Sequence, residues 1–209
     1  MGFRLPLRFA SVPGPKSVAD RVTTTSVGAT KTGDMEMADL RSFIRDVPDF
    51  PKQGIVFKDI TPLLSNAEAF HEAVSRLADR YRGRVDTVLG IESRGFIVGA
   101  AVAYALGVGL TLVRKPGKLP AETHSAQYAL EYGTDMLEIH RDAFDHGRRV
   151  VVIDDLLATG GTAAAAVELV ARLGGQVVEC GFLVELSFLR GRARLAPTPV
   201  FSLIQYATA

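Results

Sequence analysis

The chain has 209 residues, 47% of them hydrophobic, and its 24 lysines and arginines against 23 aspartates and glutamates leave a formal net charge of +1. That length and apolar content suit one sizeable domain with its own core, while the balanced charge excludes the strongly basic face of a general nucleic-acid binder. The single cysteine, Cys180, excludes an intrachain disulfide. Its place in the apolar run VVECGFLVEL reads as a small buried hydrophobe of a strand, and no Cys/His spacing points to zinc.

Residues 1–33 scatter Ser, Thr, Gly and Pro without a steady period, and their charges are basic apart from Asp20. Such a segment buries too little to offset the entropy of ordering it. Residues 1–36 are therefore expected to be a disordered extension, either a targeting-type peptide, Arg- and Ser-rich and acid-poor, or a non-functional leader ahead of Met35 or Met37. The second reading is favoured, with the domain over 37–209.

From Ala38, DLRSFIRDV reads as a short amphipathic helix stopped by Pro48, and Asp49 to Leu64, with Pro51, Gly54 and Pro62, as irregular. Ser65-Asn66-Ala67-Glu68 resembles a capping box opening a long amphipathic helix, AEAFHEAVSRLADRYRG. Strands and helices then alternate: VDTVLGIE, GFIVGAAVAYAL, GLTLVRK, RRVVVIDD, TAAAAVELVARL with a Gly174-Gly175 stop, and QVVECGFLVEL. The uncharged span Gly95 to Val113 has nearly the length of a membrane helix. It is rich in Gly and Ala and broken at Gly107-Val108-Gly109, so it reads as a buried helix, Gly95 to Leu106, followed by a buried strand. Near-continuous Val/Ile/Leu strands alternating with helices predict an α/β fold, a central mainly parallel sheet flanked by helices.

Ligands of such folds sit beyond the C-terminal ends of the strands. Three polar stretches occupy those places: Glu92-Ser93-Arg94-Gly95, Arg114 to Lys118, and Asp154 to Thr162. Lys118 to Asp135 reads as a long connection, too polar for a core element and suited to a lid. His71 and His140 fall in helix or strand patterns, His124 and His146 in loops, and no pair has metal-ligand spacing.

The most informative stretch is VVIDDLLATGGT. Ala158-Thr159-Gly160-Gly161-Thr162 joins a strand end to a helix start, where free amide groups and the helix dipole favour an anion. The glycines let backbone close on a phosphate, and Thr159 and Thr162 add hydroxyl donors. Neither the nucleotide-binding Gly-x-x-x-x-Gly-Lys-Ser/Thr pattern nor the dinucleotide Gly-x-Gly-x-x-Gly pattern is present, which points to a phosphate on a smaller molecule. Asp154 and Asp155 then look misplaced, since two unit charges about 4 Å apart interact by roughly 4 kcal/mol at an effective dielectric near 20. The conflict disappears if they face hydroxyls or a metal ion. A ribose with its 5-phosphate in the loop and its 2- and 3-hydroxyls on Asp154 and Asp155 satisfies both halves, each charge-assisted hydrogen bond contributing about 1.5–3 kcal/mol. Arg94 at a strand end can grip a pyrophosphate by paired hydrogen bonds, and Arg114, Lys115 and Lys118 form a basic cluster suited to a highly anionic substrate.

VVIDDLLATGGT closely resembles the 5-phosphoribosyl-1-pyrophosphate motif of the type I phosphoribosyltransferases. FPKQGIVFKDITPLL, GIESRGFIVG, LVRKPGKLP, LEYGTDMLEIH, LVEL and FSLIQY extend the resemblance over Ala38 to Tyr206, most closely to the branch that uses adenine. The resemblance implies that family's fold with a small N-terminal hood over 49–64. It implies transfer of the 5-phosphoribosyl group to N9 of adenine, giving AMP and pyrophosphate, with Mg²⁺ held mainly by substrate oxygens. It places Ser93 and Arg94 on the pyrophosphate, with a non-proline cis peptide at Glu92-Ser93, and supports Arg114 and Lys118 above all in the basic cluster. Glu131, beside Tyr132, becomes the acid/base group near the purine imidazole nitrogens. Phe57 stacks on adenine, backbone groups of Val56 and Lys58 read the base edge, and Leu186 closes the other face. A cytoplasmic homodimer without nucleic-acid or membrane partners is expected. The alternatives are a transferase for another purine, or a non-catalytic regulator binding the same phosphoribosyl ligand, although the extension lacks helix-turn-helix patterning.

Overall fold

The structure is a computed structural model that describes residues 37–129 and 134–208; the expected extension over 1–36 lies outside the described residues. Helix α1 spans Met37–Ser42, and strand β1, Arg45–Pro48, pairs antiparallel with β2, Val56–Asp59. The helix expected to run on toward Pro48 therefore ends early. Val47 sits opposite Phe57, and ion pairs Arg45–Asp59 at 2.5 Å and Lys58–Asp46 at 2.8 Å tie the ribbon together, so cross-strand pairing overrides the helical spacing. The segment expected to be irregular also holds helix α2, Thr61–Ser65. Helix α3, Ala67–Tyr81, is capped by Asn66, whose Oδ1 accepts from the Ala69 amide at 2.9 Å. The cap is thus one residue later than a capping box on Ser65 requires.

Strand β3, Thr87–Ile91, leads into helix α4, Arg94–Leu106, which ends at Gly107 in the left-handed conformation, and into strand β4, Gly109–Val113. Next come β5, Thr123–Ala129, and β6, Thr134–His140, an antiparallel pair. Strand β7, Arg149–Leu157, precedes helix α5, Gly161–Arg172, and strand β8, Gln176–Leu186. A 3₁₀ turn over Ser187–Leu189, helix α6, Gly191–Leu195, and strand β9, Val200–Tyr206, complete the described chain.

Among the described residues the central sheet has five parallel strands in the order β4-β3-β7-β8-β9. Val151 and Ile153 of β7 face a core formed with α3 and α4, while Val150 and Val152 face one formed with α5 and the β5–β6 pair. Cover on both faces explains the unbroken apolar strands. Cys180 is buried in the second core, where burial pushes its thiol up to about 12 and leaves it inert. No described helix is long and apolar enough to cross a membrane, and Gly95 to Val113 divides into α4 and β4 as its glycines indicated.

Half of the stretch expected to be too polar for the core, Thr123–Ala129 with the first two residues of β6, belongs instead to the β5–β6 pair, and residues 130–133 lie outside the described residues. Ala126, Tyr128, Leu137 and Ile139 are buried against α5 and the sheet, so every second residue serves the core while those between face solvent. His124 lies in β5 rather than in a loop.

Helix α4 approaches β7 so closely that a Cβ on Gly95 would stand 2.6 Å from Asp154 Oδ1 and 2.9 Å from the Ile153 carbonyl oxygen. Helix propensity favours alanine over glycine by about 1 kcal/mol, but overpacking against a fixed backbone oxygen costs about 1–3 kcal/mol. Gly95→Ala is expected to lower the melting temperature by up to about 8 °C in a thermal melt, taking about 2–4 °C per kcal/mol for a chain of this size. A value at or above wild type would show that α4 can slide off the strand without cost.

Candidate active site

Strand β7 runs out through Asp154 and Asp155 into the loop that starts α5. Gly160, at φ 80°, lets this loop fold back, and the next residues, Gly161 to Ala166, are too small to hold the helix off the sheet. The first intrahelical bond there runs from the Ala164 amide to the Gly160 carbonyl at 2.9 Å, so the amides just before it have no partner within the helix. They border a hollow of about 80 Å³ lined by Asp154 and by Leu156 through Ala163. A second hollow of about 300 Å³ adjoins it through Asp154, Leu156 and Thr162, and brings in Ser93, Arg94, Lys115, Tyr128 and Asp155.

Asp155 is almost wholly buried. Its Oδ2 lies 2.9 Å from Arg94 Nε, yet that approach is not aligned as a hydrogen bond and the oxygen has no hydrogen-bond partner. Asp154 Oδ1 accepts from the Asp155 amide at 2.9 Å. Burial, and then the neighbouring Asp155 charge, push the Asp154 carboxyl well above the usual carboxylate range. Asp155 is also raised by burial, with Arg94 working in the opposite direction.

Arg94 opens α4, and its guanidinium lies 5.1 Å from the centre of the Phe57 ring. Phe57 meets Phe50 edge-on at 5.2 Å. The peptide between Glu92 and Ser93 is cis, as the resemblance implied. Lys58 is buried, with Nζ 2.8 Å from Asp46 Oδ1 and 4.3 Å from the centre of the Tyr206 ring. Tyr206 is in register with Leu186 at the end of β8. Hood residues are thereby tied to α4 on one side and to the ends of β8 and β9 on the other. Val56 begins β2, beside Phe57.

The basic cluster divides. Arg114 Nη2 donates to Glu92 Oε1 at 2.7 Å and Nη1 to the Lys118 carbonyl at 3.1 Å, while Glu92 Oε2 accepts from the Lys115 amide at 3.0 Å. The Arg114 hydrogen bond holds the Glu92 carboxyl below the usual carboxylate range. Arg114 and the Lys118 backbone thus shape the loop, and the side chain presented to the larger hollow is that of Lys115, whose Nζ is 3.2 Å from Asp135 Oδ2. Glu131 and Tyr132 lie outside the described residues.

Two contributors escaped the sequence reading. Glu92 organises the basic loop, and its signal was one acid facing three nearby cations. Tyr128 lines the larger hollow and donates its hydroxyl to Asp135 Oδ2 at 3.1 Å, while burial raises its phenol. Its signal was the two-residue alternation with Ala126.

Comparison with known proteins gives a consistent result. The family model described as a phosphoribosyl transferase domain matches residues 58–203. The adenine phosphoribosyltransferase of Syntrophotalea carbinolica is 63% identical over 171 residues, covering 81% of this chain and 100% of that protein. The crystal structure of adenine phosphoribosyltransferase from Thermoanaerobacter pseudethanolicus matches with a TM-score of 0.80 at 53% identity, over 82% of this chain and 100% of that one. The Saccharomyces cerevisiae enzyme, complexed with D-2,5-dideoxy-2,5-imino-altritol 1,6-bisphosphate and adenine, matches with a TM-score of 0.76 at 41% identity, over 80% of this chain and 97% of that one.

The raised carboxyls carry a pH signature. Above the ordinary value of 3.8 the folded chain keeps protons that the unfolded chain has lost, so stability falls as pH rises through that window. Asp154→Asn keeps an acceptor for the Asp155 amide and removes one buried charge. Its melting temperature is expected to exceed wild type at pH 7, with the gap closing as pH falls toward 4. A gap independent of pH would show that the Asp154 charge is no burden on the fold.

Proposed function

Because the chain belongs to the phosphoribosyltransferase family, with adenine phosphoribosyltransferases as its relatives over four fifths of its length, we propose that it joins adenine N9 to C1 of 5-phosphoribosyl-1-pyrophosphate, giving AMP and pyrophosphate. The observation that carries the site assignment is the carboxylate pair, Asp155 buried and Asp154 half-buried, next to an amide-lined cup. One sugar phosphate answers both needs.

In this reading Ala158 to Thr162 hold the 5-phosphate through backbone amides and the Thr159 and Thr162 hydroxyls. The ribose hydroxyls donate to Asp154 and Asp155. Ser93, Arg94 and Lys115 border the position of the pyrophosphate, while Arg114 and Lys118 brace that wall. As the C1–O bond breaks, its electron pair leaves with pyrophosphate and positive charge develops at C1. The fixed carboxylates face that charge and the guanidinium faces the departing group, which is electrostatic stabilisation by a preorganised site. The N9 lone pair then attacks C1, and Glu131 takes the purine proton.

The described residues contain no group of three or more His, Cys, Asp or Glu able to cage a metal. Two carboxylates without histidine fit Mg²⁺, which would be held mainly by substrate oxygens with Asp154 and Asp155 nearby. When bound, the ion neutralises charge on the leaving group.

Phe57 and Leu186 supply the two faces of the base slot. The Lys58 ammonium is committed to Asp46 and Tyr206, which leaves backbone to read the base. Among the described residues strand β2 pairs with β1 alone, so alternate amide and carbonyl groups of Val56 to Asp59 point away from β1. Ile97 and Tyr104, two turns apart on α4, and Leu110 and Leu112 on edge strand β4 are exposed, an apolar face that suits a second copy of the chain. We place this homodimer in the cytoplasm.

The deciding experiment is a purine panel with 5-phosphoribosyl-1-pyrophosphate and Mg²⁺, scored by pyrophosphate release. Adenine is expected to exceed hypoxanthine, guanine and xanthine by at least about 100-fold in kcat/KM. Binding of the phosphoribosyl ligand without turnover of any purine would overturn the enzymatic reading. For the residue roles, Glu131→Ala is expected to slow the single-turnover rate by about 10²–10⁴-fold with little change in ligand affinity. An unchanged single-turnover rate would remove Glu131 from the mechanism.

A further inference from the structure

Strand β8 carries two buried glutamates, and each is gripped by an arginine. Glu179, near the start of the strand, accepts from Arg80 Nε at 2.6 Å and Nη2 at 2.7 Å. Glu185, near its end, accepts from Arg192 Nε at 2.7 Å and Nη2 at 2.6 Å, and from the Ser202 hydroxyl at 2.6 Å. Arg192 also donates from Nη1 to the Val200 carbonyl at 2.7 Å. The chemistry of the two pairs is alike, but their surroundings differ. Residue 191, just before Arg192, is a glycine pressed backbone to backbone against the phosphate cup. A Cβ on Gly191 would stand 2.3 Å from the Ala158 carbonyl oxygen, and one on Gly160 would stand 2.6 Å from the Gly191 carbonyl oxygen. Helix α6 is five residues long, too short to hold its own shape, and it begins after Arg190 in the left-handed conformation at φ 55°.

We propose that the Arg192–Glu185 pair is a positioning device for the phosphate cup: it pins α6 to the end of β8 and the start of β9, and Gly191 then sets the height of the Ala158–Gly160 backbone. The proposal rests on the phosphoribosyl reading of the cup. Amides aimed at a phosphate lose their effect when displaced by about half an ångström, so a brace behind the loop controls affinity for the sugar phosphate without touching it. Arg192 is in this sense a positioning residue. Burial would raise the Glu185 carboxyl, yet the Arg192 and Ser202 hydrogen bonds prevail and hold it below the ordinary range, as suits a pair that stays charged.

The Arg80–Glu179 pair provides an internal control, because it serves the same strand away from the cup. Wild type, Arg192→Met, Arg192→Lys and Arg80→Met are compared by steady-state kinetics with adenine and by calorimetry with ribose 5-phosphate alone. Arg192→Met is expected to raise the KM for 5-phosphoribosyl-1-pyrophosphate and the Kd for ribose 5-phosphate by about tenfold or more, with the KM for adenine within about twofold. Arg192→Lys, which keeps the charge and one donor toward Glu185, should recover part of that loss and carries the test if the methionine variant does not fold. Arg80→Met should lower the melting temperature and leave the Kd for ribose 5-phosphate unchanged. The proposal is overturned if the Arg192 variants lose thermal stability as Arg80→Met does while binding ribose 5-phosphate like wild type, or if both KM values rise together. A wild type inactive on every purine would count against the proposed reaction alone, since the calorimetric comparison still decides the brace.

Discussion

The end of β7 must hold two adjacent carboxylates, Asp155 buried and Asp154 half-buried, beside the loop that starts α5, and the surrounding structure follows from that constraint. Gly95 lets α4 settle directly on Asp154, and this close approach delivers Arg94, the first residue of the helix, to Asp155. One guanidinium offsets one carboxylate. Burial raises both carboxyls above the usual carboxylate range, so full ionisation of the pair is disfavoured in the free protein. In the proposed reading a sugar diol supplies donors to the pair, because hydrogen bonding to the ionised form favours that form. That arrangement would account for a ribose rather than phosphate alone at this end of the sheet.

The cations of the site are paired in advance. Arg94 faces Asp155, Arg114 faces Glu92 and Lys115 faces Asp135. Such pairing keeps like charges from splaying apart in the free protein and holds each near its working place. Exposure separates their roles. The Lys115 side chain is 61% exposed against 30% for Arg114. Lys115 can exchange its partner for a phosphate oxygen at little cost, whereas Arg114, with Nε buried and its terminal nitrogens committed to Glu92 and Lys118, works as a brace. Within the cluster, Lys115 is the side chain that lines the larger hollow, while Arg114 and the Lys118 carbonyl hold the loop behind it.

What the sequence displayed was whatever depends on contiguous residues. Val150 to Ile153 can only be a doubly covered strand, Gly107 and Gly109 divide α4 from β4, and VVIDDLLATGGT carries cup and carboxylates in one run. What it concealed depends on partners distant in the chain. Arg45 to Pro48 satisfies helical spacing by itself, and only Val56 to Asp59 across the ribbon makes it a strand. The β5–β6 pair looks polar because half of its residues face water, and Tyr128 was hidden with it. Glu185 and Arg192 are separated by a 3₁₀ turn and a left-handed residue, so no periodic pattern links them. The cis peptide at Glu92-Ser93 has no local signal and was legible through resemblance alone.

The features that make the site work are individually unfavourable: paired buried carboxylates, backbones in contact at Gly160 and Gly191, and charged side chains held near the core. A domain is stable by only about 5–15 kcal/mol, so such features need a place where stability is in surplus. The central strands supply it. Val88, Leu89 and Ile91 of β3 and Val150 to Ile153 of β7 are fully buried, each contributing about 1.5–3 kcal/mol relative to exposure. They also bond to neighbouring strands on both sides. Backbone so constrained does not yield to the cost of holding two adjacent acids at its end, and the same side chains on an edge strand would relax outward into water. The chemistry sits at the ends of β3 and β7 because those are the strands stiff enough to hold it.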